Sequence, residues 1–226
     1  MSTPQPAPLR QVRERELVAA TRALFDERGM QEAPIEEIAR TVGIARGLVY
    51  RHFSSKEELF VATVADYLDE LAELLERAVE AEQEPTVQLE RLTRAYAVYC
   101  QRHPAFLDCS LSLMRRPARE LRATISESVW LGLGASMGRC LGCLGDLLRA
   151  GRDAGAFTVA DPDFTANVLW TQSLGMMHLA RIRVGVRQEA PGGPELFTVH
   201  PDRVIETCVE SALALAGAPG TGRRLP

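Results

Sequence analysis

Apolar residues recur at helical spacing along nearly the whole chain, and no segment sustains the apolar–polar alternation of a strand. Leu17, Ala20, Leu24 and Phe25 share one face of a helix predicted from about Leu9 to Arg28, which Gly29 is placed to end. Ile35, Ile38 and Ala39 then repeat at helical spacing, Gly43 breaks the pattern, and Val49 and Phe53 resume it four residues apart. These 19 residues, IEEIARTVGIARGLVYRHF, predict two short helices joined by a tight turn. A long helix follows from about Lys56 to Glu82, its apolar face including Leu59, Val64, Tyr67, Leu71 and Leu75. Further helices are predicted at about Val87–Arg102, Ala105–Met114, Ala118–Ala150, Pro162–Val186 and Asp202–Ala216, with Gln188–Pro201 as a loop. The expected class is all-α with nine helices: three in an N-terminal head and six in a body.

The stretch from Ile35 to Phe53 carries the chemistry. In a helix-turn-helix the second helix lies in the major groove of DNA, so its outward side chains should reach bases and phosphates. Here they are Arg46, Leu48, Tyr50, Arg51 and His52, with Gly47 permitting close backbone approach. Pro34 sits where a helix-starting proline is tolerated, aiming free amides and the positive dipole end outward. Ser55-Lys56-Glu57-Glu58 reads as a capping box, in which the Ser55 hydroxyl accepts from the third helical amide and Glu58 reaches back. Arg10 and Arg13 follow a proline-rich stretch, residues 1 to 8, that reads as a mobile arm; they are placed to touch DNA or simply to be solvated.

Leu24-Phe25, Gly29, IEEIA, VGIARGLVYRHF and SSKEEL fall in one order at short intervals. This compound pattern, over about residues 13 to 62, resembles the tetracycline-repressor (TetR) family of transcriptional regulators. Two positions depart from the family pattern: Ala45 and Leu48 stand where hydroxyl residues are common, removing a helix cap and a phosphate contact. The resemblance implies a homodimer that binds a palindromic operator in double-stranded DNA and is released by a small-molecule effector. It divides the chain into an arm and DNA-binding domain (1–56), an effector-binding and dimerisation domain (57–216) and a disordered tail (217–226). By position, Arg46 and Arg51 are expected at base edges, Leu48 at a thymine methyl, and Tyr50, His52 and Lys56 at phosphates, Tyr50 having core packing as its alternative. Tyr96, Tyr99, Phe106, Trp130, Trp170, Met176 and Met177 are aromatic and sulfur side chains of the body; such stripes commonly form plain core, and the resemblance is what favours an effector pocket among them. For the interface the last two helices offer Val168, Leu174, Gly175, Ile205, Val209, Ala212 and Leu213.

Composition adds limits. With 226 residues, 46% of them hydrophobic, the chain can bury a substantial core. A net charge of -4 argues against indiscriminate coating of nucleic acid, yet residues 1 to 56 carry nine basic and seven acidic groups while the remainder is acidic. Arginine outnumbers lysine by 25 to 1, and the single lysine, Lys56, occupies the family's phosphate-contacting position. With neither a span of roughly 18 apolar residues nor a signal-peptide core, a cytoplasmic protein without membrane partners is expected. Five cysteines, an odd number, read as free thiols.

Two motifs offer other chemistry. Gly134-Ala135-Ser136-Met137-Gly138 matches a hydrolase nucleophile elbow, but an elbow needs a strand before the serine and both flanks here read helical. Cys140 and Cys143 share one side of a helix as a redox or metal half-site, with no second ligand pair at metal spacing. Buried inert thiols are the plain reading and oxidant sensing the sharper one. No enzyme activity, cofactor or metal is expected; the competing reading is a ligand- or protein-binding helical module with a degenerate head. The glycine-rich segment around Ser136, with five glycines from Gly132 to Gly145, predicts close helix packing or a kink.

Overall fold

Proline and glycine set most of the helix boundaries in the computed structural model, which describes residues 7–29, 34–188 and 192–219. Among these residues there are ten helices and one two-stranded hairpin: α1 Ala7–Arg28, α2 Ile35–Val42, α3 Arg46–His52, α4 Lys56–Glu80, α5 Pro85–Arg102, α6 Pro104–Met114, α7 Ala118–Thr124, α8 Glu127–Asp153, α9 Pro162–Ile182, β1 Val184–Gln188, β2 Pro194–Thr198 and α10 Pro201–Ala216. Helices α5, α6, α9 and α10 open on prolines, where a missing amide proton costs nothing. Glu84 and Asp161 cap α5 and α9 by accepting from the amides of Val87 (2.8 Å) and Phe164 (3.0 Å). The arm expected over residues 1 to 8 lies outside the described residues up to residue 6, and α1 begins at Ala7.

The chain forms two compact units, residues 1–69 with 104–137 and residues 70–103 with 138–226, so α4 and α8 each contribute to both. In the first unit the buried face of α1, with Leu17, Leu24 and Phe25, packs with Ile35, Ile38, Val49 and Phe53 of the two short helices. Arg22 braces this arrangement: its guanidinium pairs with Asp66 at 2.8 Å and lies 4.2 Å over the Tyr67 ring, whose hydroxyl donates to Asp26 at 2.7 Å. In the second unit α10 packs on α9 and α5, burying Leu89, Leu92, Leu169, Leu174, Val209 and Leu213. A bidentate Arg94–Glu206 ion pair joins α5 to α10 at the surface.

Five features differ from expectation. The helix expected over 118–150 is two helices, because Ile125 is extended and buried and Ser126 turns its hydroxyl to the Val129 amide (3.4 Å). The helix expected to reach Val186 ends at Ile182, where Arg183 adopts the left-handed conformation (φ 56). Beyond it the expected loop contains an antiparallel hairpin pairing Val184 with Thr198, Val186 with Leu196 and Arg187 with Glu195. Gly185 lies beneath the Phe197 ring, which a β-carbon would approach to 2.3 Å. The fold also continues past Ala216: Ala218 is buried and its amide donates to Leu213, whereas residues 220–226 of the expected disordered tail lie outside the described residues.

The fifth concerns the glycines of α8. The helix runs unbroken through them, and a β-carbon at Gly132, Gly134, Gly138 or Gly142 would meet nothing within 4 Å, whereas one at Gly145 would meet Asp163 at 3.1 Å and one at Gly151 the Phe157 ring at 2.1 Å. Close packing within the chain therefore does not explain the four. Gly138→Ala should stabilise the protein by about 0.5–1 kcal/mol, the backbone-entropy difference, as read from urea denaturation. A destabilised variant would mean that this open face is covered in the native assembly.

Candidate nucleic-acid interface

The turn between α2 and α3 is built by Gly43, whose φ of 71 and ψ of 33 lie in the left-handed region that only glycine enters freely. Its amide donates to Arg40 at 3.1 Å and that of Ile44 to Ala39 at 2.9 Å, satisfying the last carbonyls of α2. From α1, Arg13 reaches the Val42 carbonyl at 3.5 Å, and Arg28 pairs with both carboxylate oxygens of Glu37 at 2.8 Å. The angle between α2 and α3 is thus held by backbone geometry and by side chains from α1.

α3 starts at Ala45 without any side-chain cap, as the loss of the hydroxyl there implies. Val49 turns inward, and Arg46, Gly47, Leu48, Tyr50 and Arg51 are exposed. The Arg46 side chain is 61% exposed and paired with Glu36 of α2 at 2.8 Å; its guanidinium carbon lies 5.9 Å from the Tyr50 ring centroid. The Tyr50 side chain first, and the Glu36 carboxylate second, raise the Arg46 pKa above its ordinary value, so the cation is secure. Tyr50 is 41% exposed and stands beside Arg46 on the outer face. Pro34 is exposed and extended at the start of α2, where the first-turn residues Glu36 and Glu37 are already paired with arginines.

His52 does not face outward as expected. Its side chain is 9% exposed, and Nδ1 lies 3.8 Å from a Glu14 carboxylate oxygen on α1, too far for a hydrogen bond, so it is withdrawn from the phosphate-facing set. The reason is helical phase: His52 follows Val49 by three residues and shares its inward side.

Beyond α3, the capping box forms: the Glu58 amide donates to the Ser55 hydroxyl at 3.0 Å, and a Glu58 carboxylate oxygen accepts from the Ser54 amide. Ser55 is thereby committed to the cap, and Lys56 remains exposed at the start of α4. The second Glu58 oxygen accepts from the Ser126 amide at 3.0 Å, a contact 68 residues away that the motif could not reveal. Glu58 is 3% exposed; burial pushes its pKa up, but the Ser126 and Ser54 hydrogen bonds outweigh this and hold it below the ordinary value.

The body residues divide. Tyr96 and Trp170, rings 5.3 Å apart, line a cavity of about 30 Å³ in the second unit together with Leu75, Leu92, Cys140 and Ser173. The other five expected pocket residues do not line it. Phe106 is fully buried against Tyr67 in the first unit, to which Trp130 also belongs. Tyr99 donates to Glu70 at 3.2 Å, Met177 is core, and the Met176 sulfur accepts from Gln172 at 3.7 Å. Of the expected interface residues, Leu174, Ile205, Val209, Ala212 and Leu213 are buried in their own chain, Val168 is half-buried and Gly175 is exposed. Helical periodicity selects the face that packs α9 on α10, not the opposite one. Outward on these helices stand Phe164, Leu179 and Leu215.

The alternative chemistries lose their footing. Ser136 is buried within α8 and donates to the Gly132 carbonyl at 3.0 Å, with no strand before it. All five cysteines are free; burial, then the nearby Glu76 and Asp146, push the Cys143 thiol up to about 11, leaving it protonated at neutral pH. Among the described residues, no helix is long and apolar enough to cross a membrane.

Glu58→Gln places an amide NH2 against one of two backbone donors and should destabilise the protein by about 1–3 kcal/mol at pH 7. Because the folded pKa of Glu58 is depressed, its contribution is whole above the unfolded value near 4.5 and is lost as pH falls through the folded value. The stability gap between wild type and variant should therefore narrow in acid. Denaturation midpoints at pH 7 and pH 4 check this, and a gap that stays constant would contradict it.

A family model described as bacterial regulatory proteins, tetR family, matches residues 17–63. The transcriptional regulator HbdR of Aromatoleum sp. (strain CIB) is 31% identical over 111 residues, covering 49% of this chain and 47% of HbdR. The transcriptional repressor KstR2 of Mycobacterium tuberculosis is 32% identical over 90 residues, 40% of this chain and 45% of that protein. The chain thus spans less than half the length of these curated relatives. The crystal structure of RolR with resorcinol covers 97% of this chain and 98% of its own at a TM-score of 0.66 and 18% identity, a likeness of fold. The helix-turn-helix of α2 and α3 thus lies inside the stretch that matches the tetR family model, and the helical fold throughout is like that of RolR.

Proposed function

We propose that the protein is a repressor that binds a palindromic operator as a homodimer and leaves it when a small molecule enters the cavity of the second unit. The observation that carries this reading is the outer face of α3, where Arg46, Leu48, Tyr50 and Arg51 are exposed side by side on a turn set by Gly43. Arg46 and Arg51 read base edges, Leu48 lies against a thymine methyl, Gly47 lets the backbone approach, and Tyr50 and Lys56 hold phosphates. Pro34 leaves the first amides of α2 free for a phosphate oxygen. The Glu36 carboxylate pairs with Arg46 at 2.8 Å, and an exposed pair of this kind yields readily to a guanine edge. The repressor assignment is supported by the similarity to KstR2, a transcriptional repressor.

The second copy docks on the outward face of α9 and α10, where Phe164, Leu179 and Leu215 are exposed and Gly175 allows close approach. Two recognition helices must stand roughly 34–36 Å apart to enter successive major grooves, so a ligand that alters this spacing weakens binding without touching DNA. Leu75, which lines the cavity, and Lys56 belong to one unbroken helix, α4, which carries the change.

Arg46→Ala should weaken operator binding on the order of tenfold and relax preference at one base position. Lys56→Ala should weaken binding evenly across sequences and lower the salt slope by about one. Competition binding on a set of single-base operator variants distinguishes the two. A changed base preference in the Lys56 variant, or none in the Arg46 variant, would reverse these assignments.

A further inference from the structure

One residue that lines the cavity of the second unit, Tyr96, carries a polar group whose bonding is incomplete. Tyr96 is 4% exposed, and its hydroxyl is buried with no hydrogen-bond partner among the described residues. Its polar neighbour is the Cys100 thiol, a weak hydrogen-bonding group that does not reach good geometry with it. The other hydroxyls on the cavity wall are engaged: Thr93 donates to the Leu89 carbonyl at 2.8 Å, and Ser173 accepts from the Cys208 thiol at 3.4 Å. A buried hydroxyl without a partner is costly, so this one is poised for a group that enters the cavity.

The wall limits what that group can belong to. Among the described residues no charged side chain lines the cavity, and a buried charge without a counter-ion or several hydrogen bonds is prohibitive. The apolar lining, with Leu75, Leu92 and Leu144, favours a hydrocarbon body, and the Tyr96 and Trp170 rings, tilted by 58°, offer flat faces to a ring. Size adds a constraint: a cavity of about 30 Å³ holds one or two waters, whereas a benzene-sized guest needs about 150 Å³. Trp170 alone among the lining residues is only half-buried, so it is the wall that can move.

We propose that the cavity takes an uncharged single-ring molecule bearing one hydrogen-bonding oxygen, which pairs with the Tyr96 hydroxyl while the ring displaces Trp170. This rests on the reading of the protein as a ligand-controlled regulator and names the class of its effector. Trp170 belongs to α9, the helix whose outer face receives the second copy, so its displacement is felt at the interface. Tyr96 is the specificity-determining residue and Trp170 the gate.

The test uses the full chain carrying Trp130→Phe, which leaves Trp170 as its one tryptophan, titrated at pH 7 with phenol, toluene and benzoate and followed by fluorescence and calorimetry. Phenol should bind and shift the Trp170 emission, toluene should bind about tenfold more weakly, and benzoate should not bind. Tyr96→Phe should abolish the preference for phenol over toluene without lowering the denaturation midpoint of the free protein, since only the weak Cys100 contact is lost. Benzoate binding as well as phenol, an unchanged preference in the Tyr96 variant, or no binding of any probe would overturn the proposal. A destabilised Tyr96 variant would assign the hydroxyl to a structural buried water instead. DNA binding of the same samples without probe is measured in parallel: selective DNA binding with no phenol binding sinks the effector class alone, and phenol binding without selective DNA binding sinks the regulator reading alone.

Discussion

A buried carboxylate, that of Glu58, is the constraint on which the helix-turn-helix part of the first unit depends. Removing a carboxylate from water is costly unless hydrogen bonds replace the lost hydration. Here the Ser54 and Ser126 amides supply them, while the Glu58 amide is met by the Ser55 hydroxyl. Three places in the chain are tied at one side chain: the exit from α3, the first turn of α4 and the junction of α7 with α8. The junction has its form for this reason, since Ser126 can present its amide to Glu58 only where the helix is interrupted. The exposed face of α3 inherits a fixed relation to α4 and so to Lys56.

Around that tie, the electrostatics of the head are arranged from both sides of the helix pair. Arg28 engages Glu37, and Arg46 engages Glu36, so neighbouring acids at the start of α2 hold one arginine from α1 and one from α3. The first pair belongs to the scaffold. The second joins an exposed cation to an exposed anion. The positive Arg46 therefore stands ordered but available at the front of α3, beside Tyr50.

Much of this was legible in the sequence because it is local. The two short helices follow from the spacing of Ile35, Ile38, Ala39, Val49 and Phe53, the turn from Gly43, and the cap from Ser55 and Glu58 three residues apart. What escaped depends on residues distant in sequence or on helical phase. Ser126 carries no mark that it will meet Glu58. His52 sits at the end of a seven-residue helix, where one residue decides between the outer face and Glu14. In the body, periodicity identifies apolar faces without saying what covers them. Leu174, Ile205, Val209 and Leu213 share such a face and bury it within their own chain. The hairpin is short, with five residues per strand and Gly185 in its first strand, so alternation never runs long enough to declare itself. Tyr96 and Trp170 were visible as aromatics, but their meeting across one cavity is set by the packing of α5 against α9.

The central claim, sequence-selective binding of DNA by a dimer, is tested most directly by selecting duplexes from a random pool with the purified full chain and titrating the best one with salt. The account predicts recovery of one palindromic sequence, its half-sites about one helical turn apart, bound at least roughly a thousandfold more tightly than random DNA. Affinity should fall steeply with salt, in proportion to the phosphates neutralised. Weak binding with no preferred sequence, from a folded and dimeric sample, would contradict it and leave the exposed face of α3 without its proposed role.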